Sequence, residues 1–440
     1  MAAMGQNNRA RRAAKHRQRA SKQRPRDPQT GFAPADAEFF AAGAASLMLG
    51  RLLRALLRDG DAPTELADLT RCAERHQQAA VDEQFSHAVD YLIEAGWTPL
   101  DLSEVVRRKT ATPAITHLLD IVAGATARHP DRLVHPQWRA QLDQLGAAAP
   151  RVRLSPSYDW GQRSDLSWPA AFEQLLAVLM VICALPPVEQ VLPAPGSSAA
   201  AAQEADGLDP KMLRRVRGLL AKAESTEHVE EADALTAKAQ ELMTRYSIER
   251  AVAESVEPAA RIPVSRRLWP ESPYVDAKAL LIGTVADANN CRAIQSSAWG
   301  YVSVVGHAGD LDDVELLVTS LLVQATRAMT LAGTQITRSG ASRTRSFRQS
   351  FLVAYAGRIG ERLRESAQTT ETTYDEAHGG VLVPVLKARR DALDDRIAEL
   401  FPDLVERRVS VSNAAGWGAG RAAADLALFD TREAVTSRPG

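Results

Sequence analysis

Residues 219–243 read LLAKAESTEHVEEADALTAKAQELM, and the way this stretch folds decides the architecture around it. Just ahead of it, DPKMLRRVRG offers Asp209 as a helix N-cap and Pro210 as the first helical residue. Leu213, Val216, Leu220 and Ala223 then fall on one stripe, flanked by Leu219. After a polar turn at Ser225 and Thr226, Ala232, Leu235, Ala239, Leu242 and Tyr246 recur every three or four residues beside Met243. Two amphipathic helices joined by so short a turn face each other, which predicts an αα-hairpin over 208–250. Its outer faces differ in sign. Lys211, Arg214, Arg215, Arg217 and Lys222 make the first helix basic, whereas Glu227, Glu230, Glu231 and Asp233 crowd the start of the second, where acids complement the helix dipole. The basic face suits phosphates, with a solvated surface as the alternative.

Working outward, LPAPGSSAAAAQEAD before the hairpin has no periodicity and marks a linker at 196–207. Residues 31–195 show helical periods and no convincing strand, with Gly60 and Gly96 where helices should stop and Thr98 and Pro99 opening another helix. The apolar run Leu175–Leu185 is about half the length of a membrane span and predicts a buried helix. His76, His87, His117, His129 and His135 share no metal-binding spacing and are expected to be packing or surface residues.

Beyond a second linker the pattern changes to a small α+β domain over 260–430, with a mostly antiparallel sheet covered by helices on one face. RIPVSRRLW, CRAIQSS and GYVSVVGH predict strands, the last two forming a hairpin across 297–300. A polar loop is expected over 367–380, a further strand at VERRVSVSN and a last helix after GWGAG. The fold class is therefore α+β overall, an all-α domain followed by the hairpin and the α+β domain, with tails at 1–30 and 431–440.

The net charge of −1 hides an asymmetry. Nine Lys and Arg lie between Arg9 and Arg26 with no acid among them, so this segment has too little apolar surface to fold alone. It is either a phosphate-binding arm or a solubilising terminus. Arg outnumbers Lys 45 to 8, a bias that composition alone explains as well as function does. The three cysteines, Cys72, Cys183 and Cys291, are far apart and fit a reducing compartment. With no apolar run close behind the basic segment, the expected location is the cytoplasm.

RRVRGLLAKAEST and EEADALTAKAQELMTRYSI together resemble the signature of the bacterial and phage family called domain of unknown function 2786, through Leu219, Leu220, Ala221, Lys222, Ala223, Glu224, Glu231, Ala232, Lys238, Ala239, Gln240 and Met243. The α+β segment is similar to the companion domain that commonly follows this hairpin, and the helical domain to leaders seen on actinobacterial members. The resemblance implies no activity and no catalytic residues. The family's recurrence in phages and mobile elements points toward nucleic acid by association. Lys222, Glu224, Glu231, Lys238 and Gln240 form a polar set that hairpin packing does not require.

Three further candidates carry chemistry. GHAGDLDDVE places His307 and Asp310 at a strand-to-helix junction, where they suit a metal-assisted hydrolase; the alternative makes Asp310 an N-cap with Asp313 completing a capping box. GWGAGRA reads as a tight turn whose glycines allow close packing of helix on strand, with an anion site at Gly418, Gly420 and Arg421 as the alternative; only seventeen residues follow Ala423, too few for a dinucleotide fold. Between Leu316 and Gly360 there are six arginines and no acid, with Arg345 and Arg348 sharing a helix face suited to phosphate. The leading expectation is a non-enzymatic protein that binds nucleic acid or another polyanion through Lys211, Arg214, Arg215, Lys222, Arg345 and Arg348. The alternatives are a hydrolase at His307 and Asp310 and a scaffold for a protein partner. No cofactor, resident metal or membrane association is expected.

Overall fold

The structure, a computed structural model, describes residues 34–147, 155–198, 210–225, 229–254, 262–331, 344–402, 404 and 419–421. The basic segment 1–30, the tail 431–440, Asp209, the strand expected at 405–413 and Gly418 lie outside these residues, and Glu231 is described by its backbone alone. The described residues fall into two compact units that divide between Gln84 and Phe85. In the first, α1 (Pro34–Asp59) packs on α2 (Pro63–Thr70), and α3 (Glu74–Glu94) begins. Leu49, Leu52 and Leu69 are buried here. The part of α1 from Phe40 to Asp59 has a mean hydropathy of 1.4 and is long and apolar enough to cross a membrane by length and composition.

The second unit opens with a helical layer made of the rest of α3 and of α4 (Pro99–Lys109), α5 (Ile115–Thr126), α6 (Pro136–Gln144), α7 (Pro156–Arg163) and α8 (Trp168–Ile182). Helix α4 starts as its sequence dictates: Thr98 Oγ1 accepts from Asp101 N, and the Asp101 side chain returns to Thr98 N. Gly96 ends α3 with φ 95°, and a Cβ there would lie 2.5 Å from the carbonyl oxygen of Val188. Only glycine therefore lets the segment after α8 return beside α3, where Val188 N bonds Ala95 O and Trp97 Nε1 donates to Pro186 O.

His117 on α5 is fully enclosed, edge-on to Phe85 at 4.7 Å, and burial followed by the Arg163 charge lowers its pKa to about 3. Folded His117 is neutral where unfolded His117 takes up a proton, so its contribution to stability is complete above the ordinary histidine pKa and is lost as pH falls through it toward 3. In His117→Gln the stability lost between about pH 7 and pH 5 should shrink by about 2 kcal/mol. Urea unfolding at the two pH values checks this; an undiminished loss would place the acid sensitivity elsewhere.

The hairpin forms as α9 (Pro210–Ser225) and α10 (Val229–Glu254). Three strands and four helices follow: β1 (Val264–Leu268), α11 (Val275–Ala288), β2 (Arg292–Ser296), β3 (Tyr301–Gly306), α12 (Ala308–Leu331), α13 (Thr344–Ala377) and α14 (Leu382–Leu400). The sheet is antiparallel in the order β1-β3-β2. Register places Val302 and Val304 on one face, in the core with α11 and α12, and the row Arg267, Ser303 and Ile294 on the other. That second face was expected to be open. It is covered by the Gly96–Asp101 and Pro186–Glu189 segments, because Arg267 at its centre bonds Asp101 Oδ2 (2.5 Å), Gly96 O (3.1 Å), Glu189 Oε1 (3.1 Å) and Glu189 O.

Most of the loop expected at 367–380 is instead the last turns of α13: residues 367–377 are helical, and the turn is confined to 378–380, with Gly379 and Gly380 at positive φ. The threonine-rich stretch is helical all the same, and the hydroxyls of Thr369, Thr370, Thr372 and Thr373 find their partner within the helix, each bonding the carbonyl four residues earlier. Phe347, Phe351 and Tyr355 are buried, as their four-residue spacing predicts.

The hairpin is not a separate module. Met212, Val216, Leu220, Ala239, Leu242 and Met243 belong to the same core as Leu281, Val285, Val304, Leu317, Phe351 and Ile359. Helix α10 packs on α12, α13 and α14, and α9 on α12. At roughly 1.5–3 kcal/mol for each large buried side chain, this bed stabilises the hairpin far more than its own helix propensities do.

Candidate functional site

Three surfaces of the second unit hold the residues singled out by sequence. The first is the outer face of α9. At 100° per residue, Lys211, Arg214, Arg215 and Lys222 fall within about a third of a turn of one another, opposite the buried stripe of Met212, Val216 and Leu220. All four basic residues are exposed, as is Arg217 at the edge of the stripe. The face spans about 16 Å along the helix axis.

The second surface tests whether the polar set converges, and it does not. Lys222 and Glu224 are exposed, and Lys238 pairs with Glu241 at 2.7 Å on the surface. Among the members whose side chains are described, Gln240 alone points inward: its Nε2 lies 3.3 Å from Thr244 Oγ1 and 3.4 Å from Asn289 Oδ1, which joins α10 to the end of α11. Its buried Oε1 has no partner among the described residues.

The third surface is the junction around Asp310, where three helices meet. Helix α12 starts at Ala308, with Leu311 N bonded to His307 O, so Asp310 lies in the first turn and not at the cap. Its buried carboxylate is held from outside the helix. Ser247 Oγ and Arg250 Nη2 of α10 donate to Oδ1, each at 2.7 Å, and Arg389 Nη2 of α14 donates to Oδ2 at 2.8 Å. Ser247 and Arg250, three apart on one helix face, and Arg389 had no signal tying them to an acid 60 to 79 residues away in the chain. Only an acid in an otherwise apolar junction hinted that bases must come to it.

Two further titratable groups lie at this junction. Burial, then Arg389, lowers the pKa of His307 to about 4, although Asp310 works against the shift; its Nε2 is enclosed without a partner among the described residues. Burial, then the Asp310 charge, pushes Asp313 well above the ordinary carboxylate range, and its Oδ1 is likewise unpartnered. The neutral forms of both groups are therefore favoured. Their pH effects oppose each other. Stability from His307 is lost as pH falls from the ordinary histidine value toward 4, whereas Asp313 loses stability as pH rises above the ordinary carboxylate value. Cys291 is buried beside Asn289 O, and burial raises its thiol pKa.

The geometry bears on the hydrolase alternative directly. Both Asp310 oxygens accept from guanidinium groups, and no cluster of three or more His, Cys, Asp or Glu side chains suited to a metal ion occurs among the described residues. The arrangement clamps α10 to α12 and α14.

The remaining candidates are scattered. Arg345 is exposed at the start of α13, while Arg348 is half-buried and its Nε is enclosed. Gly420 packs against α13 so closely that a Cβ would lie 2.1 Å from Phe351 O, which accounts for that glycine by packing. Arg421 pairs with Glu361 at 3.4 Å, so its charge already has a carboxylate partner.

Residues 211–250 match the family described as protein of unknown function (DUF2786). The match takes in α9 from its second residue and α10 as far as Arg250, and the α+β region lies beyond it. No curated protein and no solved structure matches the chain.

Proposed function

With residues 211–250 matched to a family that carries no assigned activity, we propose that the chain binds nucleic acid through the outer face of α9. The observation that carries this is a rigidly mounted stripe of four exposed basic side chains whose opposite face is fixed in the core. A cationic helix held in place loses little backbone freedom on meeting a phosphate backbone, and each contact releases condensed counterions. The contacts are to phosphates, so binding is tight at low salt and tolerant of sequence. Arg345 at the start of α13 is a secondary contact in this reading, and the basic segment 1–30 adds affinity through its charge.

The test is duplex and single-stranded DNA and RNA binding measured against salt. Four phosphate contacts from α9 give a slope of log affinity against log salt of about −3 to −4 on duplex. Changing Lys211, Arg214, Arg215 and Lys222 together to Gln should remove most of that slope, with thermal unfolding unchanged because all four are exposed. Deleting residues 1–30 separates the tail. If that deletion alone abolishes binding, or if the four Gln changes leave the slope intact, α9 is not the contact surface.

A further inference from the structure

A cavity of about 570 Å³ opens between the sheet face that carries Ser303, the Pro186–Glu189 segment and the end of α14. It lies apart from the residues assigned to phosphate contact, and its size falls within the range of about 300–1,000 Å³ typical of small-molecule sites. Trp299, Tyr301 and Phe401 give it aromatic walls, and Glu189, Ser303 and Glu399 are among its polar groups. No Lys, Arg or His lines it among the described residues.

Four features of one sign converge there. First, the Glu189 side chain is only 5% exposed, yet its recorded contacts from Arg267 Nε and Ser303 Oγ both fall on Oε1. Oε2 accepts no hydrogen bond among the described residues, and Glu189 is among the residues that line the cavity. Second, Glu399 at the rim is largely exposed and pairs only with its helix neighbour Arg396. Third, α14 ends here with no basic residue in its last turn, so its terminal carbonyls bring the negative end of a helix dipole to Leu400 and Phe401. Fourth, the aromatic rings offer negative π faces. Two of them already accept cations from within the protein: Lys109 Nζ lies 5.3 Å from the Trp299 centroid and the Arg267 guanidinium 5.5 Å from that of Tyr301. Burial, then Glu189, pushes the Tyr301 phenol up to about 12, so it stays a neutral hydroxyl.

We infer that this cavity is a binding site for a small organic cation with an apolar or aromatic body. The body fills the space between the aromatic and proline walls, and the charged end faces Glu189 Oε2 and the α14 terminus. A carboxylate or phosphate ligand meets no Lys, Arg or His among the described lining residues, so the site takes a different chemistry from the α9 face.

The full chain is titrated with benzyltrimethylammonium, benzyl alcohol and benzoate, followed by ligand-observed NMR. The cation binds with a Kd below about 1 mM and about tenfold or more tighter than the alcohol, and benzoate does not bind. Trp299→Ala weakens the cation about tenfold, and Glu399→Gln weakens it by a smaller factor. Glu399 is largely exposed, so the second variant decides the matter even if the first fails to fold. Equal affinity for the alcohol or benzoate, cation binding unchanged in Glu399→Gln, or no binding at about 10 mM overturns the assignment.

Discussion

Arg267→Ala lowers the free energy of unfolding by about 3–5 kcal/mol, a large part of the roughly 5–15 kcal/mol that holds a typical domain together. The side chain is 1% exposed and lies between Asp101 and Glu189, themselves 3% and 5% exposed. Removing the guanidinium leaves two carboxylates without their counter-charge and two carbonyls, Gly96 O and Glu189 O, without a donor. It also uncovers the faces of Trp97 and Tyr301, against which the guanidinium rests at 5.9 and 5.5 Å. The mechanism makes a second prediction that separates lost charge balance from lost volume. Arg267→Met combined with Asp101→Asn and Glu189→Gln leaves no buried charge and should recover part of the loss, whereas additive single effects would argue that packing alone was at stake. Urea midpoints with unchanged m-values read both outcomes. An Arg267→Ala midpoint equal to that of the parent would mean that the cluster contributes no net stability.

Asp310→Ala costs about 2–4 kcal/mol, somewhat less because Arg250 keeps partial access to solvent. Here one deletion removes the carboxylate shared by Arg250, Arg389 and the Ser247 hydroxyl, and with it one link of α10 to α12 and α14. The loss should be local before it is global. Amide exchange near Ser247 rises first, while the hairpin half of α10, seated through Leu242 and Met243, stays protected. The same replacement removes a charge that supports the His307 proton and opposes ionisation of Asp313. Both pKa values should therefore fall in the variant, which an NMR titration of the ring and carboxyl carbons checks. If His307 titrates unchanged, Asp310 does not act on it electrostatically and the coupling drawn for this junction is wrong.

Much of the architecture was legible because it rests on local periodicity. The stripe of Val216 and Leu220, the turn across 297–300, and Thr98 before Pro99 each encode their element within a few residues. The 367–380 segment misled because a run of Thr, Glu and Gln resembles a loop in composition, whereas threonine hydroxyls within a helix bond the carbonyl one turn back. The covering of both sheet faces was hidden for another reason. In VSRRL, Arg266 and Arg267 look alike, but the two-residue period of the strand sends Arg266 to the partly exposed Asp312 and Glu315 and Arg267 into the interior. Which of two adjacent arginines is buried depends on what packs above the sheet, and a single strand does not state it. The Asp310 junction was half legible: the acid and histidine stood out, but the arginines that occupy the acid come from helices far away in the chain. Within the hairpin, exposure of the basic stripe followed from the position of the apolar one.

Sharing one core with α11, α12 and α13 limits how the hairpin can be reused. Cut out at residue 250, it would present Met212, Val216, Leu220 and Met243 to water, so a fusion carrying only 211–250 invites self-association, and grafting the module requires grafting its bed. The same continuity makes the surface of α9 a handle on the whole unit. A ligand that grips its outer face binds the folded ensemble alone, and its binding energy therefore appears as resistance to unfolding at sites as distant as Phe351 and Ile359.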